Sequence, residues 1–357
     1  MQHDEAEQSN LALLFLYLKG SRQNTAGCRR LYGRSEFLFY INRRSQIMGN
    51  HLMVGGQAVI EGVMMRGPKL TATAVRDPNG KIQVETKDVH SISDRYPILK
   101  KPMLRGTVSL VESLVIGIRS LSYSAKMAGE EDEQLSDKEM AGTILFALVL
   151  ASILFIAIPT GAARLFHVIT EDPFFLNLME GFLRLAIFLG YIWGISRMKD
   201  IRRVFQYHGA EHKTIHCYEA GLPLTVENVQ KFSRLHPRCG TNFLLIVMLV
   251  SIFVFAFLGW PSLAERIASR ILLLPVVAGI SYEIIRLAGR SENPIIQTAI
   301  KPGLWLQYLT TRPPKDDMVA VAIESLKAVL PEEEIIEGTV DYRHAEGPLP
   351  KPIEMVP

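Results

Sequence analysis

Cysteine is scarce: Cys28, Cys217 and Cys239 are the only three in 357 residues. An odd number at unrelated spacings builds no disulfide framework, so a functional cysteine here reads as a thiolate ligand or nucleophile in a reducing, cytosolic setting. Charge is thin as well. Only 21% of residues are Asp, Glu, Lys or Arg, the formal net charge is +3, and no basic run is interleaved with aromatic residues. A nucleic-acid groove needs that interleaving, so nucleic acid is not an expected partner. The apolar run at 11–18 lacks the positive flank of a secretory signal, being preceded by Asp4, Glu5 and Glu7. Residues 1–47, with Arg29, Arg30, Arg34, Arg43 and Arg44 but no period, read as a basic, poorly ordered leader or as an upstream extension of a chain starting at Met48 or Met53.

What is plentiful is apolar sequence. Hydrophobic residues make up 48% of the chain and the mean hydropathy is +0.16, a balance shifted toward lipid. Segments 141–166, 174–196, 242–260 and 271–287 approach the ~20 helical residues that cross a ~30 Å hydrocarbon core. The expected fold is therefore membrane α-helical, with four transmembrane helices arranged as two hairpins, 141–196 and 241–288. A small cytoplasmic N-terminal β unit precedes them within 48–128. Its marker is Asp77-Pro78-Asn79-Gly80, a type I turn signal between the alternating runs 71–76 and 81–86, with a further strand expected at 57–64. Residues 104–125 are apolar but interrupted by Arg105, Glu112 and Arg119, which suits an interfacial helix better than a span. An acidic linker, 129–140, leads into the first hairpin. The tail, 289–357, carries an amphipathic helix at 316–330 with Val319, Ile323, Leu326 and Leu330 on one face, then a Pro- and Glu-rich end.

Connections 167–180, 197–240 and 261–269 hold zero, eight and one Lys or Arg. The positive-inside rule then puts the 197–240 loop and both termini in the cytoplasm of a multi-pass cell-membrane protein.

That loop concentrates chemistry. His208-Gly-Ala-Glu211-His212 is an H-x-x-E-H pattern, and on a helix its two imidazoles lie one turn apart on one face, a spacing that suits one metal. His236-Pro-Arg-Cys239 adds an imidazole and a thiolate in a tight turn. His208, His212, His236 and Cys239 would close an N/S set best suited to zinc among transition metals. Glu211 would be the general base for metal-bound water, or else a ligand. The plain alternative is that these side chains only satisfy one another beneath the membrane. His216 and Cys217 are weaker candidates, since a helix turns Cys217 away. Glu283, in ISYEIIRLAG, is an ionisable residue inside an apolar segment and so a second place to look, with Arg286 a potential partner. Glu61 and Glu112 are less specific signals of the same sort.

The stretches GGQAVIEGVMMRGP (55–68), FQYHGAEHKTIHCYEAG (205–221), LTVENVQKFSRLHPRCGT (224–241) and ISYEIIRLAG (280–289) resemble the YqhQ-like family of bacterial membrane proteins. The resemblance runs from about 55 to 330 and leaves 1–47 outside it. It implies a predicted metal-dependent enzyme of open chemistry, with His208, Glu211, His212, His236 and Cys239 at the matching positions. Three functions compete: a metal-dependent hydrolase acting on a membrane-proximal substrate, an oligomeric transporter-like protein with Arg184, Glu283 and Arg286 along its path, and a scaffold stapled by structural zinc. A homo-oligomer is compatible with all three.

Overall fold

The computed structural model describes residues 53–129, 136–288, 294–331 and 335, so the expectations for the leader, most of the acidic linker and the Pro- and Glu-rich end lie outside the described residues. Four antiparallel strands, β1 (Gly55–Val59), β2 (Gly62–Arg66), β3 (Leu70–Arg76) and β4 (Ile82–Asp88), form a sheet in sequence order. The β3–β4 hairpin closes where the turn residues say it should: Gly80 N–H donates to the Asp77 carbonyl at 2.9 Å, Lys81 N–H to Asp77 Oδ1 at 2.8 Å, and Gly80 takes φ 82°. The single strand expected at 57–64 is instead two strands joined at Ile60-Glu61. Glu61 adopts φ 51° there, and its carboxylate is held by Arg203 and by the Tyr207 hydroxyl, which donates at 3.3 Å. Partners elsewhere in the fold thus hold a turn that has neither proline nor glycine at its centre.

Alternation along β2 and β3 gives the sheet two buried faces. Val63, Met65, Ala72 and Ala74 pack against α4 (Lys199–Glu219) and α8 (Asp316–Lys327). Val59, Met64 and Val75 pack against Ile116, Tyr123 and Met127 of α1 (Leu104–Ala128). The tail helix therefore uses its apolar stripe, Val319, Ile323 and Leu326, to cover the sheet, with Ser325 Oγ donating to the Ala72 carbonyl at 2.9 Å. The first half of the segment expected as a cytoplasmic loop is α4, a core helix of this layered unit.

Among the described residues, three helical segments are long and apolar enough to cross a membrane: Lys138–Val168, which begins as α2 (Asp137–Ser152), then α3 (Pro173–Ile195), and Leu263–Leu287 within α6 (Leu263–Ala288). The other expected span, α5 (Gly240–Ala256), is strongly apolar but has 17 residues, about 25 Å of helix. A further helix, α7 (Pro294–Thr310), was not expected in the tail and packs beside α5, with Leu306 joining Phe188 and Leu245 in a common core.

Two carboxylates in these helices are paired with arginines. Glu283 takes the Arg105 guanidinium, with one contact of 2.7 Å, so its partner is Arg105 of α1 and not Arg286. Glu180, fully buried in α3, accepts from Arg184 at 2.9 Å, Arg266 at 2.8 Å, Arg270 at 2.7 Å and the Thr160 hydroxyl at 2.9 Å. Arg266, placed in a connection by sequence, is inside α6 and 4% exposed. Glu112 accepts from the Ser91 hydroxyl at 2.7 Å and Ile92 N–H at 3.0 Å, so it and Glu61 are structural.

Candidate metal centre

The candidate centre is built where the layered unit meets the apolar helices. Helix α4 supplies His208, Glu211 and His212. Beyond the end of α4 and a short helix, Val226–Gln230, the chain returns as 234–239, and Cys239 becomes the N-cap of α5, its sulfur accepting from Thr241 N–H at 3.4 Å. Gly209 lets this helix lie against the 310–314 segment: a Cβ there would sit 2.2 Å from the Arg312 carbonyl oxygen. That close approach brings the end of α7 to the site.

His208 Nδ1–H donates to the Thr310 carbonyl at 2.8 Å, leaving Nε2 as the acceptor, 3.2 Å from Cys239 Sγ. His212 Nδ1–H donates to the Arg234 carbonyl at 2.5 Å. Its Nε2 is then a lone pair, buried and without a hydrogen-bond partner among the described residues, on a side chain 1% exposed. A carbonyl on one ring nitrogen with the other left bare is how proteins orient imidazole toward a metal. His208, His212 and Cys239 each offer a ligand atom, all within 4.8 Å of one another.

His236 is adjacent, its ring centroid 5.6 Å from that of His212, but it groups elsewhere. Its ligand atom lies within 4.8 Å of those of His216 and Glu219, so the four residues expected around one ion fall into two neighbouring sets. His216 is nearer the chemistry than the sequence reading allowed, whereas Cys217 points into the core, where burial raises its thiol to about 12. His216 and Glu219 continue the 208–212 helix face at positions 216 and 219, a periodic signal that sequence alone could have followed further.

Electrostatics favour neutral imidazoles. Burial lowers His212, His216 and His236 to about 4, so each carries a free lone pair at neutral pH. For Cys239 burial pushes the thiol up, but His212 beside it and hydrogen bonds from Thr241 outweigh that and lower it overall. Glu211 is raised to about 8, chiefly by burial, although His208 and Gly56 N–H pull the other way. Its Oε2 makes no hydrogen bond among the described residues, so an acidic oxygen and a bare nitrogen, both buried, await a partner that the protein atoms do not supply. These unpartnered atoms fit a metal ion: His208, His212 and Cys239 form an N/N/S set with ligand atoms close enough for one ion, and Glu211 lies beside it.

A cleft of about 460 Å³ between β1, β2 and α1 reaches Gly56, whose Cβ, if present, would touch Glu211 at 3.2 Å. Arg66 and Arg238 line it.

The family described as "Protein of unknown function (DUF1385)" matches residues 101–332, which include every residue of the centre. The chain belongs to this family. It is 39% identical over 310 residues, 81% of its own length and 96% of the relative's, to "Uncharacterized protein YqhQ" of Bacillus subtilis (strain 168). No solved structure matches.

Proposed function

We propose that this family member is an integral membrane protein whose layered unit, at the cytoplasmic face, holds a zinc-type ion at His208, His212 and Cys239 and hydrolyses a membrane-proximal substrate. The observation that carries the reading is the buried, partnerless Nε2 of His212 within ligand reach of His208 and Cys239. Bound there, such an ion would supply Lewis acidity and acidify a water. The protein's own part is to fix the ligands: the Thr310 and Arg234 carbonyls hold both imidazoles with Nε2 inward, and Thr241 steadies the thiolate. Glu211, packed against Gly56 beside the cleft, is the proton acceptor once the ion's positive charge offsets the burial that otherwise keeps its carboxyl protonated. Three protein ligands leave room for water, as catalytic zinc sites do.

The membrane setting rests on the three long apolar helices, with α5 as the shorter fourth member of two hairpins. Val111, Leu114, Val115 and Leu121 of α1 are all more than 40% exposed, an apolar stripe suited to lying on the bilayer beside the cleft. Eight Lys and Arg in 197–240 support a cytoplasmic site. The pairing of Glu283 and Glu180 with arginines leaves neither as a bare carboxylate lining a transport path, which favours the enzyme over the transporter reading.

Metal analysis of purified protein tests this. His212→Ala and Cys239→Ala should each lose the ion, while Glu211→Gln should retain it and abolish turnover of micelle-presented phosphoester and acyl-ester substrates. Loss of the ion from Glu211→Gln would make Glu211 a ligand and remove the base.

A further inference from the structure

The cleft beside the centre has a lining that selects its occupant. Its volume of about 460 Å³ lies within the range of small-molecule sites. Val54, Met64 and Ile116 make much of the wall apolar, its charged residues are Arg66 and Arg238, and among the described residues no Asp or Glu lines it. The two arginines come from different elements, β2 and the turn before Cys239, and neither is saturated. Arg66 gives Nη2 to Glu112 at 3.4 Å, while Arg238 gives Nη2 to Glu219 and Nη1 only to the Met53 sulfur at 3.6 Å. A guanidinium carries more N–H donors than these contacts use. Glu112 and Glu219 thus fix the two side chains without filling the cleft.

The cleft joins the centre on one side and the exposed apolar stripe on the other. Gly56 belongs to β1, an edge strand of the sheet, and its N–H donates to Glu211; Arg238 directly precedes Cys239. Opposite, Ser113 and Ile116 of α1 stand among Val111, Leu114 and Val115, each more than 40% exposed. An anionic head on an apolar tail matches that order, with charge toward the centre and hydrocarbon along α1. Two guanidiniums from separate elements favour phosphate over carboxylate, because a single guanidinium fork satisfies both carboxylate oxygens whereas a phosphate presents a further one. We propose that the cleft binds a phosphate-headed lipid, its head on Arg66 and Arg238 and its chains along Val111, Leu114 and Val115, and that such lipids are the substrate class of the centre. The second part rests on the proposed function; the binding itself does not.

Full-length protein in neutral detergent, titrated with a phosphatidic-acid-type lipid, with the diacylglycerol of the same chains and with inorganic phosphate, tests this, with bound metal measured on the same samples. Wild type should bind the phosphate lipid at least about tenfold more tightly than either of the others. Arg66→Gln should weaken that binding by about 10–100-fold, the range for a lost hydrogen bond between charged groups, with metal content unchanged. Gly55→Leu is the second variant: a Cβ there meets nothing within 4 Å, so the new side chain should occupy the cleft without disturbing the fold and should block the lipid. Diacylglycerol or inorganic phosphate binding as tightly as the phosphate lipid, or binding indifferent to both variants, overturns the proposal; metal found in the same samples would leave the proposed function standing with another substrate. Arg66-dependent binding by a protein that holds no metal upholds the lipid site and sinks the hydrolase reading instead.

Discussion

Gly209→Ala is the substitution whose outcome separates packing from propensity most cleanly. In an ordinary helix interior, alanine for glycine stabilises by about 1 kcal/mol. Here the new Cβ would lie 2.2 Å from the Arg312 carbonyl oxygen, and α4 and the 310–314 segment must part by roughly 1 Å to restore contact distance. That movement strains the Phe205 carbonyl's bond from Arg312 N–H, now 2.8 Å, and carries the Thr310 carbonyl away from His208 Nδ1. Overpacking of this sort costs about 1–3 kcal/mol and a weakened hydrogen bond about 1 more, so the propensity gain is outweighed and net destabilisation of about 1–3 kcal/mol is expected. Loss of the carbonyl that orients a ligand costs about 10–100-fold in metal affinity. Thermal unfolding of the detergent-solubilised protein and competition against a chromophoric chelator read the two effects. Gly190→Ala, inside α3 where nothing lies within 4 Å, serves as the control that shows the propensity gain alone. A Gly209→Ala protein as stable as wild type with unchanged affinity would refute both the close approach and the role of the Thr310 carbonyl.

Two further outcomes are expected. Single cysteines placed at Asp172, the exposed N-cap of α3, and at the exposed Lys231 should react with an impermeant maleimide from opposite sides of sealed vesicles, and labelling of both from one side would refute the hairpin topology. In metal-stripped protein, His212 has a folded pKa of about 4, below the ordinary 6.5, so the unfolded state binds the proton more readily; stability is whole above pH 6.5 and falls between 6.5 and 4, by roughly 3 kcal/mol from this residue alone, which urea titrations across that range would detect.

The sequence announced those elements whose causes are local. The Asp77–Gly80 turn, the long apolar runs and the 316–330 stripe each follow from neighbours a few residues apart. The split at Ile60-Glu61 was invisible because its stabilising partners, Arg203 and Tyr207, lie far along the chain. Helix α7 was hidden by Pro302 within it, which reads as a breaker unless the helix is held by its packing on α5. The centre shows the same division. The spacing of His208 and His212 and the turn ending in Cys239 were readable, and the structure brings those three together. Placing His236 required Gln307 of α7 to hold its backbone, and no periodicity within 234–239 reports that.

The buried carboxylate of Glu180 bears on how the chain is made. In a bilayer, each arginine of α6 raises the cost of transferring that helix from the translocation machinery into lipid, by about 2.5–3.5 kcal/mol near the midplane and less toward an end. Arg266 and Arg270 both stand in the first part of α6, and both find Glu180, on a helix synthesised long before. The earlier hairpin is thus a docking template that the later helix must meet during synthesis. Glu180→Gln should accordingly be recognised by quality-control proteases as an unassembled chain, appearing as lost abundance in the membrane, with the molecules that do mature keeping an intact centre.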